Sequence, residues 1–483
     1  MTASPNVCDT LLKGIVVTMD PERKVYTDGY VAVAGSKVVA VGRASNCEFR
    51  AKRTLGGPEW IILPGLINCH THLIKGCIRG MAEGTGFEER LFGCYFPMTG
   101  ACDEARSYTA AMTPILELLT SGVTTTQDCQ YTHRDTRSID GVLAAVRDAG
   151  IRCRMARLIV NDVDAVPADF RESVGAGLTQ VERLRHDWTS ERITVTTGSL
   201  GITYVSENDL REIWDWTVEK GEQMDMHLPT HMDTVYFPSR RGWDGGSFEW
   251  LAKKGMLGPN LIAAHALHLR AGEHELVAEN QVKVAAIPGM NLLQGAVRFD
   301  IRSFVERAVD VGLGLDGPVV SYDQNLWISM REAIIGQRLS DRAREMIARE
   351  TLEGNGAPFG SAELALEMAT IGGARALGLS DRVGSLEPGK EADAVLIDAS
   401  EAVHLSPKGA ALIPNLVYGG GANPRFVKHV LVGGDLVVED GQSTRVDARA
   451  AVHDADSLQK VLVNETGTQR YVRAGTTWTW TDG

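Results

Sequence analysis

Eight short apolar segments separated by stretches of helical period constrain this chain most: Leu63–Ile67, Val123–Thr126, Arg152–Ile159, Ile193–Thr197, Met224–Leu228, Leu261–Ala266, Val282–Ile287 and Val311–Leu315. Between them lie amphipathic runs such as Glu104 to Gly122, Arg137 to Gly150 and Asn208 to Gly221. Strands that alternate with helices build a parallel sheet, because a parallel pair needs a crossover long enough to hold a helix. Eight such units are the number that closes a (β/α)8 barrel.

The flanks carry a different texture. Thr10 to Asp20 and Gly29 to Gly42 are rich in β-branched residues and punctuated by glycine, as are Ala394 to Ile397, Val427 to Val432 and Leu436 to Val438. These read as short strands joined by tight turns. The expected fold class is α/β: a (β/α)8 TIM-like barrel over residues 61–379, with a small β-sandwich domain built from both chain ends, 1–60 plus 380–483. No repeat of fixed period and no low-complexity tract interrupts this plan.

With 62 acidic against 49 basic residues, the formal net charge is −13. That balance argues against a nucleic-acid partner or an anionic membrane bound through charge, and favours small-molecule chemistry. The eight cysteines (Cys8, Cys47, Cys69, Cys77, Cys94, Cys102, Cys129, Cys153) form no Cys-x-x-Cys pair, and all lie in the first third of the chain. They read as free thiols. The N-terminus shows no basic, apolar leader, and no apolar run approaches the ~20 residues that span a bilayer. The expectation is a protein of the reducing cytoplasm.

Chemistry concentrates at the strand ends. His70 and His72 follow the first apolar run, and alternate residues of a strand point to the same face, so both imidazoles can address one ion. His227, His265 and Asp316 stand at or just past the ends of later candidate strands, on the rim where barrel active sites gather. Three imidazoles and a carboxylate can hold one divalent ion and leave a position for water.

The strings Leu63-Pro-Gly-Leu-Ile-Asn-Cys-His-Thr-His, Ala264-His-Ala-Leu-His-Leu, Gly312-Leu-Gly-Leu-Asp-Gly and Val383-Gly-Ser-Leu-Glu-Pro-Gly-Lys-Glu-Ala-Asp carry a further message. Over nearly its whole length the chain resembles the amidohydrolase superfamily, in the branch of cytosine deaminase, guanine deaminase and the triazine hydrolases. The resemblance implies that His70, His72, His227 and Asp316 are metal ligands and that His265 contacts the metal-bound water, making His265 and Asp316 the catalytic pair. It also implies a homo-oligomer. Binuclear relatives use a modified lysine on the fourth barrel strand. Here that strand reads Ile193-Thr-Val-Thr-Thr-Gly-Ser-Leu, so one ion is expected: zinc first, with iron, manganese or cobalt as alternatives.

One position departs from the pattern. Deaminases of this branch carry a glutamate three residues after the third histidine, and here that place is Thr230. A hydroxyl cannot serve as a carboxylic acid near neutral pH. The sequence therefore favours hydrolysis of an acyclic amide, urea or carbamate, as in phenylurea and molinate hydrolases, with deamination or dechlorination of an N-heterocycle as the alternative. A non-catalytic binding module is a third reading, against which all four ligand positions are filled. Pocket candidates are Thr230, His268 and Phe92, with Phe87, Tyr95, Phe96, Tyr236, Phe237 and Trp243 as further aromatic walls. His231, His268 and His133 are candidates for the missing proton carrier.

Overall fold

The computed structural model describes residues 6–162, 166–295, 300–348, 359–420 and 423–472. Two eight-stranded sheets organise them. The first is mixed and draws on both chain ends: β1 (Asn6–Val17), β2 (Val25–Ala34), β3 (Lys37–Arg43) and β4 (Phe49–Pro64), joined late in the chain by β13 (Ala394–Asp398), β14 (Val427–Val432), β15 (Asp435–Glu439) and β16 (Gln442–Ser443). β4 pairs in parallel with β1 and antiparallel with β13, which binds the two ends into one unit. A cluster of its own, including Leu12, Val31, Ile62, Leu396 and Leu431, holds this sheet.

The second sheet is all parallel: β5 (Leu66–Thr71), β6 (Val123–Gln130), β7 (Arg152–Ile159), β8 (Ile193–Ser199), β9 (Met224–Leu228), β10 (Leu261–His265), β11 (Lys283–Ala286) and β12 (Val311–Leu313), paired in chain order. Every residue of β5, β6, β7, β9 and β10 is buried, as expected for strands covered on both faces. The ring is drawn shut where the backbone N–H groups of Leu315 and Asp316 both donate to the carbonyl of His70, at 2.9 and 3.0 Å.

The first apolar run differs from expectation. Ile61 to Pro64 belong to β4 and pair with β13, and the barrel strand starts only at Leu66. The change of sheet falls at Gly65, where an added Cβ would sit 2.0 Å from Thr124 Oγ1, so the close approach of β6 requires glycine.

All eight cysteines are free. The C-terminal helix Ala448–Thr466 leaves the mixed sheet and lies on the barrel helix Glu104–Thr120, fastened by an Arg106–Glu465 pair. Gln459 Nε2 donates to the carbonyl of Cys77 at 2.9 Å, and Ala82 N to that of Tyr471 at 2.8 Å. The tail thus braces the loop that follows β5. Among the described residues, no helix is long and apolar enough to cross a membrane.

Candidate metal centre and active site

His70 lies within β5 and His72 one residue past it, His227 lies in β9, His265 ends β10, and Asp316 stands three residues beyond β12. The barrel brings all five together and buries them. Ligand atoms of His70, His72 and His227 lie within 4.8 Å of one another, as do those of His70, His265 and Asp316. His70 therefore sits at the junction of both triplets.

Hydrogen bonding orients the rings. His72 Nδ1 donates to the carbonyl of Cys129, which leaves the Nε2 lone pair bare. His72 Nε2 faces His227 Nε2 at 3.3 Å and Asp316 Oδ1 at 3.4 Å. His70 Nδ1 meets Cys129 Sγ at 3.4 Å, while His70 Nε2, His227 Nδ1 and His265 Nδ1 are buried with no hydrogen-bond partner. Whichever nitrogen of His227 carries the proton, one of its ring atoms stays unsatisfied, at a cost of about 1–3 kcal/mol. A cation among these lone pairs removes that conflict, and three imidazoles with a carboxylate are a donor set that zinc accepts. The residues present fit a divalent ion.

Electrostatics keep the donors available. Burial holds His70, His72 and His227 well below the usual imidazole range, and neighbouring cationic groups add to the effect. Burial pushes His265 down to about 4. At neutral pH these rings are uncharged and keep the lone pairs that ligation requires.

Backbone strain is stored at the same rim. His265 and Asp316 adopt φ of +74° and +63°, a region that costs a non-glycine residue about 1–3 kcal/mol. Asp316 is held there by Thr71 Oγ1 and Gln324 Nε2, which both donate to its carbonyl at 2.9 Å, and by Gly317 N, which donates to Oδ1 at 2.5 Å.

A cavity opens beside the centre, lined by His72, His227, His265 and Asp316 together with Lys75, Phe87, Leu91, Tyr95, Tyr131, Leu200, Tyr204, Thr230, Leu267, Met290, Gln294 and Val320. Thr230 is on this wall. Its side chain also caps the helix His231–Arg241: Asp233 N donates to Thr230 Oγ1 at 3.4 Å, and Thr230 N and Oγ1 donate to Asp233 Oδ2 at 2.8 and 3.0 Å. This is a capping box, and Thr-x-x-Asp before a helix was a readable signal for it. Burial pushes Asp233 up to about 6, against the hydrogen bonds from Thr230 and Thr203.

Phe92 and His268 are not among the lining residues. Phe92 stacks on Phe96 at 5.8 Å, whereas Phe87, Leu91 and Tyr95, spaced by four, turn one face of the loop helix to the cavity. Tyr236 reaches Glu88, and Phe237 packs against Trp250 away from the cavity. His133 binds Glu172, itself clamped by Arg157, and is not among the lining residues; the side chain of His231 is outside the described residues. Sequence reasoning missed Lys75, Tyr131 and Tyr204, which only the closed barrel brings to the site.

A parallel barrel with neutral imidazoles and a carboxylate converging at its C-terminal rim is the frame of a metal-dependent hydrolase. Residues 61–437 match the model of the Amidohydrolase family, and the chain belongs to that family, whose hydrolases act on carbon–nitrogen bonds. It is 29% identical over 461 residues to the 5-methylthioadenosine/S-adenosylhomocysteine deaminase of Pelotomaculum thermopropionicum, covering 95% of this chain and 100% of the relative. A zinc-bound adenosine deaminase from Xanthomonas campestris superposes with a TM-score of 0.85 at 24% identity, covering 95% of this chain and 100% of the other. Atrazine chlorohydrolase from Arthrobacter aurescens, in complex with zinc, gives 0.81 at 23% identity, with 93% and 100% covered.

Proposed function

We propose that this chain is a metal-dependent aminohydrolase that removes the amino group of a small N-heterocycle and releases ammonia. The observation that carries the reading is full-length similarity to a protein named for deamination of adenine-bearing substrates, joined to a cavity walled by Phe87, Tyr95, Tyr131 and Tyr204. Flat aromatic faces suit a planar ring. Hydrolysis of acyclic amides, ureas and carbamates, favoured from the sequence because Thr230 replaces the expected acid, becomes the second reading. Thr230 still supports it, since no carboxylic acid occupies that place.

His70, His72, His227 and Asp316 would hold the ion, with zinc the ion proposed. A bound divalent ion supplies a water whose pKa falls toward neutrality. His265, neutral at working pH, accepts a proton and returns it to the departing amine. Thr230 Oγ1 donates to Asp233 and accepts from Asp233 N, so its part is to fix the start of the helix His231–Arg241 at the cavity wall. The aromatic walls hold the ring and exclude bulk water.

The test is ammonia release by the zinc-loaded protein across aminated purines, pyrimidines and triazines, set beside ureas, carbamates and amides. Ammonia from at least one ring is expected. Release of amine or aniline from the acyclic compounds, with every ring left intact, would overturn the reading.

A further inference from the structure

Lys75 is the only lysine or arginine among the described residues that line the cavity. It is 3% exposed. Its ammonium has three donors. One reaches Tyr131 Oη at 2.9 Å, and no carboxylate lies within ion-pair distance among the described residues. Asp316, the one carboxylate among the described residues of the cavity wall, turns Oδ1 to Gly317 N and His72. Beside Lys75, at 5.3 Å from ring centroid to Nζ, stands Tyr95, whose hydroxyl is buried with no hydrogen-bond partner. Next to that phenol stands the Arg90 guanidinium, which works against the rise that burial imposes on the phenol's pKa. The carboxylates of Asp316 and Asp128 favour the ammonium from beyond ion-pair distance, and among the described residues two of its three N–H donors have no acceptor, which is the place a ligand acceptor would fill.

We propose that Lys75 and the Tyr95 hydroxyl form a subsite for an anionic oxygen carried by the substrate, a carboxylate or an ionised oxo group on the heterocycle. This rests on the aminohydrolase reading and narrows it to acidic rings. A ring anchored there by its anion lies between the aromatic walls and extends toward the histidine cluster. Tyr131 positions the ammonium, both through its hydroxyl and through its ring, whose centroid lies 5.0 Å from Nζ. A neutral ring would leave the ammonium and the phenol without the acceptor they lack.

The experiment measures binding by calorimetry to zinc-loaded protein, using matched pairs of aminated pyrimidines, purines and triazines that carry a carboxylate or the corresponding carboxamide. Wild type is expected to favour the carboxylate of at least one pair by roughly tenfold or more, the scale of a hydrogen bond to a charged group. Lys75→Met should bring that ratio close to one and Lys75→Arg should keep part of it. Tyr95→Phe, which deletes a single hydroxyl and carries the test if Lys75→Met does not fold, should lower the ratio several-fold. Equal affinity of wild type for both members of every pair, failure of every compound to bind, or an unchanged ratio in Lys75→Met and Tyr95→Phe would overturn the subsite. Ammonia release is scored separately: acidic rings bound with the expected preference but never deaminated would overturn the aminohydrolase reading and leave the subsite standing.

Discussion

The interior of this barrel is polar at two levels, and the two are built on opposite terms. Toward the strand N-termini, Arg154 Nη1 donates to Gln127 Oε1 at 2.7 Å and to Asp225 Oδ2 at 3.0 Å, while Gln127 Nε2 donates to Asp225 Oδ1 at 2.6 Å. Charge and hydrogen bonds close on themselves there. At the C-terminal rim, His70, His227, His265 and Tyr95 leave buried polar atoms unsatisfied, and His265 and Asp316 hold left-handed backbone. A satisfied network serves the fold, whereas an unsatisfied one waits for a ligand.

Breaking each level separately should expose the contrast. His227→Ala should lower turnover by about a thousandfold or more by removing a ligand, yet leave the metal-free protein as stable as wild type or more so. Metal analysis, turnover and thermal unfolding check it, and full activity in this variant would sink the assignment of the centre. Arg154→Met should do the reverse. It strands a buried Asp225 carboxylate and should cost about 3–5 kcal/mol of stability in denaturant titration, with turnover per folded molecule retained.

Smaller effects sharpen the boundary between the two. Glu172 is a satisfied acid just behind the rim: burial raises its pKa, but hydrogen bonds from His133 and Arg157 outweigh that and hold it at about 2. Its folded pKa lies below the unfolded value of about 4.3, so its contribution is complete above that pH and is lost as pH falls toward 2. Glu172→Gln should flatten the acid limb of the stability profile between pH 5 and 2 by about 2 kcal/mol, and an unchanged limb would remove Glu172 from the account. Thr230→Val should cost about 1 kcal/mol through the lost cap of the helix His231–Arg241, seen as a drop of about one degree in Tm.

The sequence made the architecture legible because a period of two and a period of 3.6 leave different marks. Arg152–Ile159 and Met224–Leu228 were readable to the residue. The first barrel strand was not, because Ile61 to Ile67 is apolar throughout and both sheets bury their share of it, so hydrophobicity cannot tell where one sheet hands over to the other. Strand-end histidines were visible as ligand candidates because their chemistry is rare at such places. The wall was harder: the pairing of Lys75 with Tyr95 and Tyr131 exists only after closure, and composition without helical phase does not separate Phe92 from Phe87 and Tyr95. At Thr230 the missing acid masks a second signal, since Asp233 three residues on marks the threonine as a cap.

The carbonyl of His70 receives the amides of Leu315 and Asp316, so the first and last strands are latched at the spot where two would-be ligands meet. Gripping an ion and keeping the cylinder shut are then one thermodynamic event viewed from two sides. Chelation should loosen the latch before any other part of the wall, with hydrogen exchange quickening at Leu315 and Asp316 ahead of Arg154 and its neighbours.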